Sequence, residues 1–98
     1  MNLPIVIRAA AQAEWDEAID WYESKSLDLS IDFETKIREA LDRIVANPKR
    51  YPIVERDVRE ADVVRFSYAI FYRIKADHIV VISIFHTSRD PAIWQSRV

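Results

Sequence analysis

The Asn47-Pro48 step separates two stretches of different hydrophobic period, and that change restricts the fold more than any other feature of this chain. Before it, apolar residues recur with the 3.6-residue period of a helix. After it they alternate with the period of 2 that a half-buried strand requires. Proline fixes the boundary, because the residue before a proline avoids helical backbone angles. The expected class is therefore α+β: an N-terminal helical hairpin packed on a mostly antiparallel sheet of three to four strands. The 98 residues form one domain, 1–98, large enough for a modest core.

The first half resolves into three segments. Pro4 to Arg8 is a short β-branched run and reads as a strand. Ala9 to Glu23 turns to Ala, Glu, Gln and Trp, which favours helix. In it Trp15, Ala18, Ile19 and Tyr22 make one stripe, with Trp21 at the stripe's edge. A short link, Ser24-Lys-Ser, leads to a second helix with Asp28 or Ser30 as its N-cap. Phe33, Ile37, Leu41, Ile44 and Val45 share one face of that helix. Glu34–Arg38 and Glu39–Arg43 are spaced as i, i+4 pairs on the wet side. Two amphipathic helices with so short a link form an antiparallel hairpin.

Lys49 to Pro52 reads as a turn, and Asp62 to Phe66 as a strand whose start is open to earlier residues. Tyr68 to Lys75 is a clearer strand, with Tyr68, Ile70, Tyr72 and Ile74 on one face and Ala69, Phe71 and Arg73 on the other. Ala76-Asp77 is a tight hairpin link. Ile79 to Phe85 is apolar on both faces apart from Ser83, so it is a central, doubly covered strand. One face meets the helices. The sequence offers no further long helix for the other face, so a partner chain or self-association is expected to cover it.

Composition narrows the class further. There is no cysteine, which removes disulfides and thiolate metal sites and suits a reducing cytoplasm. Two distant histidines make no metal site, and no cofactor is expected. No apolar run approaches the roughly 20 residues of a membrane span, and the N-terminus lacks the pattern of a signal peptide. Glycine is absent, so turns rely on Asn, Asp, Ser and Pro, and no phosphate-cradling loop exists. The net charge is −2, with the acidic excess in residues 1–48 and a basic excess, mostly arginine, in 49–98. That basic half suits an anionic or acidic partner.

Five ordered motifs then show a likeness. They are Trp21-Tyr22-Glu23 ending the first helix, Phe33 opening the second, Pro48-x-x-Tyr51-Pro52, Arg65-Phe66-x-Tyr68-x-Ile70-x-Tyr72-Arg73-Ile74, and His86-x-x-Arg89-x-Pro91-x-x-Trp94. In order and content the chain resembles the RelE/ParE toxin superfamily, in its ParE-like branch of plasmid-stabilisation toxins. Ser67 departs from the proline usual between the aromatic pair. The resemblance implies a cytoplasmic toxin of a type II toxin–antitoxin system, neutralised by a cognate antitoxin as a hetero-oligomer or dimer. It implies DNA gyrase as the target, poisoned without bond-breaking chemistry and without direct DNA binding. Relatives of the RelE type cut mRNA on the ribosome, and a non-toxic antitoxin-binding corepressor is a third reading.

The residues expected to contact target or antitoxin are Arg65, Arg73, His86, Arg89, Trp94 and Trp21. If the chain were an RNase, His86 would trade the proton while Arg65 and Arg89 supplied transition-state charge. The structural alternative has His86 closing the strand end against Ser88 or Asp90, and Arg89 pairing with Asp90. The net acidic charge weighs against binding within ribosomal RNA. Tyr68 and Tyr72 fall on the core face, where their hydroxyls would close buried hydrogen bonds. Trp15 and Tyr22 pack the helices on the sheet, while Trp21 offers an aromatic anchor for an antitoxin helix.

Overall fold

A computed structural model describes residues 2–98. The elements run β1 (Ile5–Ile7), α1 (Ala9–Lys25), α2 (Leu27–Ala46), a 3-10 turn (Pro48–Arg50), β2 (Ile53–Glu55), β3 (Val58–Asp62), β4 (Tyr68–Ile74), β5 (Ile79–His86) and α3 (Ala92–Gln95). The architecture is α+β, with five strands ordered β1-β5-β4-β3-β2. Only β1–β5 is parallel; the other pairings are antiparallel.

The helical hairpin forms as its periodicity requires, with a tighter hinge than the sequence implied. Ser26 alone separates the helices, and its hydroxyl caps α2 by accepting the Leu29 N–H at 3.3 Å. The cap is therefore Ser26, not Asp28 or Ser30; Ser30 is buried and donates to the Ile19 carbonyl, while Asp28 sits in the first turn of α2. On the wet side Glu34–Arg38 pairs at 3.2 Å, but Glu39 turns to Lys36 at 3.8 Å instead of Arg43. Phe33, Ile37, Ala40 and Ile44 are fully buried against Ile70, Tyr72, Ile79 and Val81 of the sheet.

Two differences from the sequence reading concern the sheet. The strand expected over 62–66 instead occupies Val58–Asp62 and pairs with a further strand, β2. The reason lies at Arg56 and Arg65, which adopt positive φ of 52° and 74°. With no glycine available, arginine takes both left-handed positions, each costing roughly 1 kcal/mol. The first closes the β2–β3 hairpin. The second interrupts the chain before β4, so that Phe66 folds inward against Tyr22 and Phe33.

The second difference is the cover of the opposite sheet face, which the chain provides itself. Val58, Ala69, Phe71, Ile82 and Phe85 form a second core there, closed by Trp94 of α3 with Val98 packed beside it. Trp94 stacks on Phe71 with ring centroids 3.9 Å apart. Four helical residues suffice because one indole covers the area that a longer helix would spread over several side chains. The expectation that this face awaits a partner is thus corrected for the part beneath α3. No helix is long and apolar enough to cross a membrane among the described residues.

Candidate functional site

A groove opens where β5 ends, between the C-terminal part of α1 and the turn after His86. It comprises two adjoining cavities of about 320 and 230 Å³ that share Trp21, Tyr68, His86 and Arg89. α1 supplies Trp21 and Tyr22 one after the other, so Tyr22 turns into the core while Trp21 stands 57% exposed. Their rings meet edge-on at 5.0 Å, and the Lys25 ammonium lies 5.3 Å from the Trp21 ring. Register brings in the rest: Tyr68 is the cross-strand partner of His86, and the two rings meet edge-on at 5.0 Å.

His86 is fixed by its own turn. Its Nδ1 accepts the Ser88 N–H at 3.1 Å and lies 2.7 Å from the Ser88 hydroxyl. An Nδ1 that accepts leaves the neutral ring's proton on Nε2. This is the strand-end arrangement with Ser88. Arg89 does not pair with Asp90, whose carboxylate instead accepts the Ala92 N–H at 3.0 Å. The Arg89 guanidinium lies over the Phe85 ring at 5.2 Å and, among the described residues, is the one lysine or arginine lining either cavity.

The phenols on the wall remain donors. Burial raises Tyr22. Burial also raises Tyr68, with smaller effects from Tyr22 and Glu14 in the same direction and from Arg89 against it. Tyr68 packs against the core, as its strand face predicts, yet it also lines the groove. Tyr72 matches its expected role, donating to the Pro48 carbonyl at 2.6 Å from full burial.

The remaining candidates do not converge on the groove. Arg65 lies 2.7 Å from Asp32 on α2, beside a separate surface depression. Arg73 pairs with Asp57 at 3.0 Å near the β2–β3 turn. Trp94 is 4% exposed in the second core. Of the six candidates, Trp21, His86 and Arg89 therefore share one surface.

Sequence reasoning missed Glu14. Its carboxylate accepts from the Ser83 hydroxyl at 2.8 Å, the Ile84 N–H at 3.2 Å and Arg97 at 3.0 Å, at the edge of β5 beyond the end of β1. The signal was present: Glu14 falls between Ala11 and Ala18 at i+3 and i+7 of the buried stripe, where an acid needs a partner.

Comparison with known proteins gives three findings. Residues 5–91 match the family described as ParE toxin of type II toxin-antitoxin system, parDE. No curated protein matches the sequence. Among solved structures, a chain of the chromosomal ParDE TA system from P. aeruginosa superposes with a TM-score of 0.74 and 20% identity, covering 86% of this chain and 95% of that one. At that identity the superposition speaks for the fold. The family match spans nearly the whole domain, including both walls of the groove, and the chain belongs to the ParE toxin family of type II toxin–antitoxin systems.

Proposed function

We propose that this protein is a cytoplasmic toxin that binds and poisons DNA gyrase, is neutralised by a cognate antitoxin in a hetero-oligomer, and makes its contacts through Trp21, His86 and Arg89. The observation that carries the reading is the groove's composition: an exposed indole, two phenols and, among the described residues, one guanidinium, beside the Glu14 and Glu17 carboxylates. Protein hot spots use this set of groups, an aromatic anchor beside an arginine. Phosphodiester cleavage asks for several cations and a proton shuttle converging on one phosphate. Here Arg65 and Arg73 are engaged elsewhere, with Asp32 and Asp57.

Purified protein added to gyrase supercoiling reactions tests this directly. Inhibition that persists in His86→Ala and weakens at least tenfold in Trp21→Ala and Arg89→Ala is expected, in line with the truncation of a hot-spot side chain. Uninhibited supercoiling, together with mRNA cuts in a translating extract that His86→Ala abolishes, would replace this reading with the RNase one. The observation favouring that second reading is that Tyr68, His86 and Arg89 line the same cavity.

A further inference from the structure

Among the described residues Glu60 makes no ion pair, although Arg89 lines the same cavity. It shares a sheet face with Phe71, its cross-strand partner on β4, and is only partly exposed. Among the described residues no ion pair or side-chain hydrogen bond involves it. Burial holds its carboxyl above the ordinary glutamate value, and the nearby Asp62 carboxylate adds to the effect. A carboxylate removed from water without a partner is unfavourable, so a site of this kind favours an incoming cation.

The surroundings say what form that cation takes. Glu60 borders a cavity of about 280 Å³ whose other lining includes Val54, Phe71, Phe85 and Trp94. The three rings are buried in the second core, while Val54 stands 43% exposed and suits a long alkyl stem, with the acid receiving its charged head. Arg89 lies over Phe85 in the lining of this cavity and makes no ion pair with Glu60. Arg73 projects from the same sheet face but is engaged by Asp57.

The neighbouring strand says how the cation arrives. β2 is an edge strand with no neighbour on its outer side, and it exposes Ile53 by 55% and Val54 by 43%. An apolar edge with unpaired backbone groups is a template for an added strand. Such a strand would lie two spacings, roughly 10 Å, from β3, a gap that an arginine or lysine and a glutamate can bridge between them.

We propose that β2 and the Glu60 side of this cavity form a docking surface for an extended, basic segment of a partner polypeptide, which pairs along β2 and lays one arginine or lysine beside Val54 against Glu60. The surface shares Arg89 with the groove, but its contacts at β2 and Glu60 do not depend on the gyrase-contact reading.

Nuclear magnetic resonance titration of the full chain with the peptide acetyl-Thr-Val-Arg-Val-Thr-amide tests it, with glutamate and norleucine in place of arginine as comparisons. The arginine peptide should shift the Ile53–Glu55 amides, and Glu60→Gln should weaken it about tenfold, the effect of losing one charge-assisted hydrogen bond. Trp21→Ala should leave the titration unchanged. Equal binding of the glutamate peptide, unchanged binding by a folded Glu60→Gln, or no shift at millimolar peptide would overturn the proposal. So would β2 shifts that follow protein concentration alone, which would assign the edge to a second copy of this chain. Neither gyrase nor antitoxin enters this experiment, so its failure leaves the groove reading standing.

Discussion

Arg97 and Glu14 meet as a fork: two guanidinium nitrogens reach the two carboxylate oxygens at 3.0 and 3.3 Å. The pair joins residues 83 positions apart and fastens the C-terminal segment to α1. It also finishes the sheet, because Glu14 accepts from Ile84 N–H and Arg97 donates to the Ile82 carbonyl on the part of β5 that β1 does not reach.

A double-mutant cycle measures what that fork contributes. With Glu14 only 11% exposed, Arg97→Ala leaves a largely buried carboxylate without its cation. Arg97→Ala and Glu14→Ala should each destabilise the protein by about 1–3 kcal/mol in urea unfolding. The double variant should lose less than the sum, with a coupling above ~0.5 kcal/mol. Strict additivity would show that the pair is incidental.

Trp94 closes the second core, so its removal should act first on stability. Trp94→Ala should cost about 3–5 kcal/mol, and Trp94→Phe much less, since a ring still covers Phe71. Hydrogen exchange at Phe71 and Phe85 amides should quicken in the alanine variant. A Trp94→Ala protein as stable as the parent would show that the second face does not depend on α3.

Tyr72 gives the fold an alkaline limit. Burial is the main reason its phenol is pushed up to about 12, from the ordinary tyrosine value of 10.0. Between those values the unfolded chain loses the proton while the folded one keeps it. Stability from this group is therefore fully present below pH 10 and falls as pH rises towards about 12, by roughly 2–3 kcal/mol in all. Tyr72→Phe should flatten that part of the stability–pH curve. At neutral pH the same variant should lose about 1 kcal/mol with the hydrogen bond to Pro48.

Arg56 tests the left-handed turn. Arg56→Gly removes the Cβ that disfavours a φ of 52° and should raise stability by up to about 1 kcal/mol over Arg56→Ala, read from urea midpoints. An alanine variant equal to glycine would mean that the β2–β3 turn carries no strain.

Periodicity made most of this architecture legible. The stripes through Phe33, Ile37 and Ile44, and the alternation through Ile70 and Tyr72, are strong because one face of each element is buried. What stayed hidden depends on single residues acting across long separations or in unusual backbone. A three-residue strand such as β2 is too short to show a period, and an arginine at positive φ carries no compositional mark. Trp94 was visible as a large apolar group, but nothing local distinguishes an indole that seals its own sheet from one offered outward. At the groove, His86 and Arg89 were legible as a strand end and its turn, whereas Tyr68 joins them through register, which only pairing defines.

The position of β5 within the sheet sets a schedule for synthesis. This strand touches β1, β4, α1 and α3, yet it follows all of them but α3 in the chain. A nascent chain that stops before residue 79 has made both long helices and has no central strand to seat them on. Contacts between such distant segments form late, so the groove at the end of β5 is completed only once β5 has paired with β4 and packed on α1.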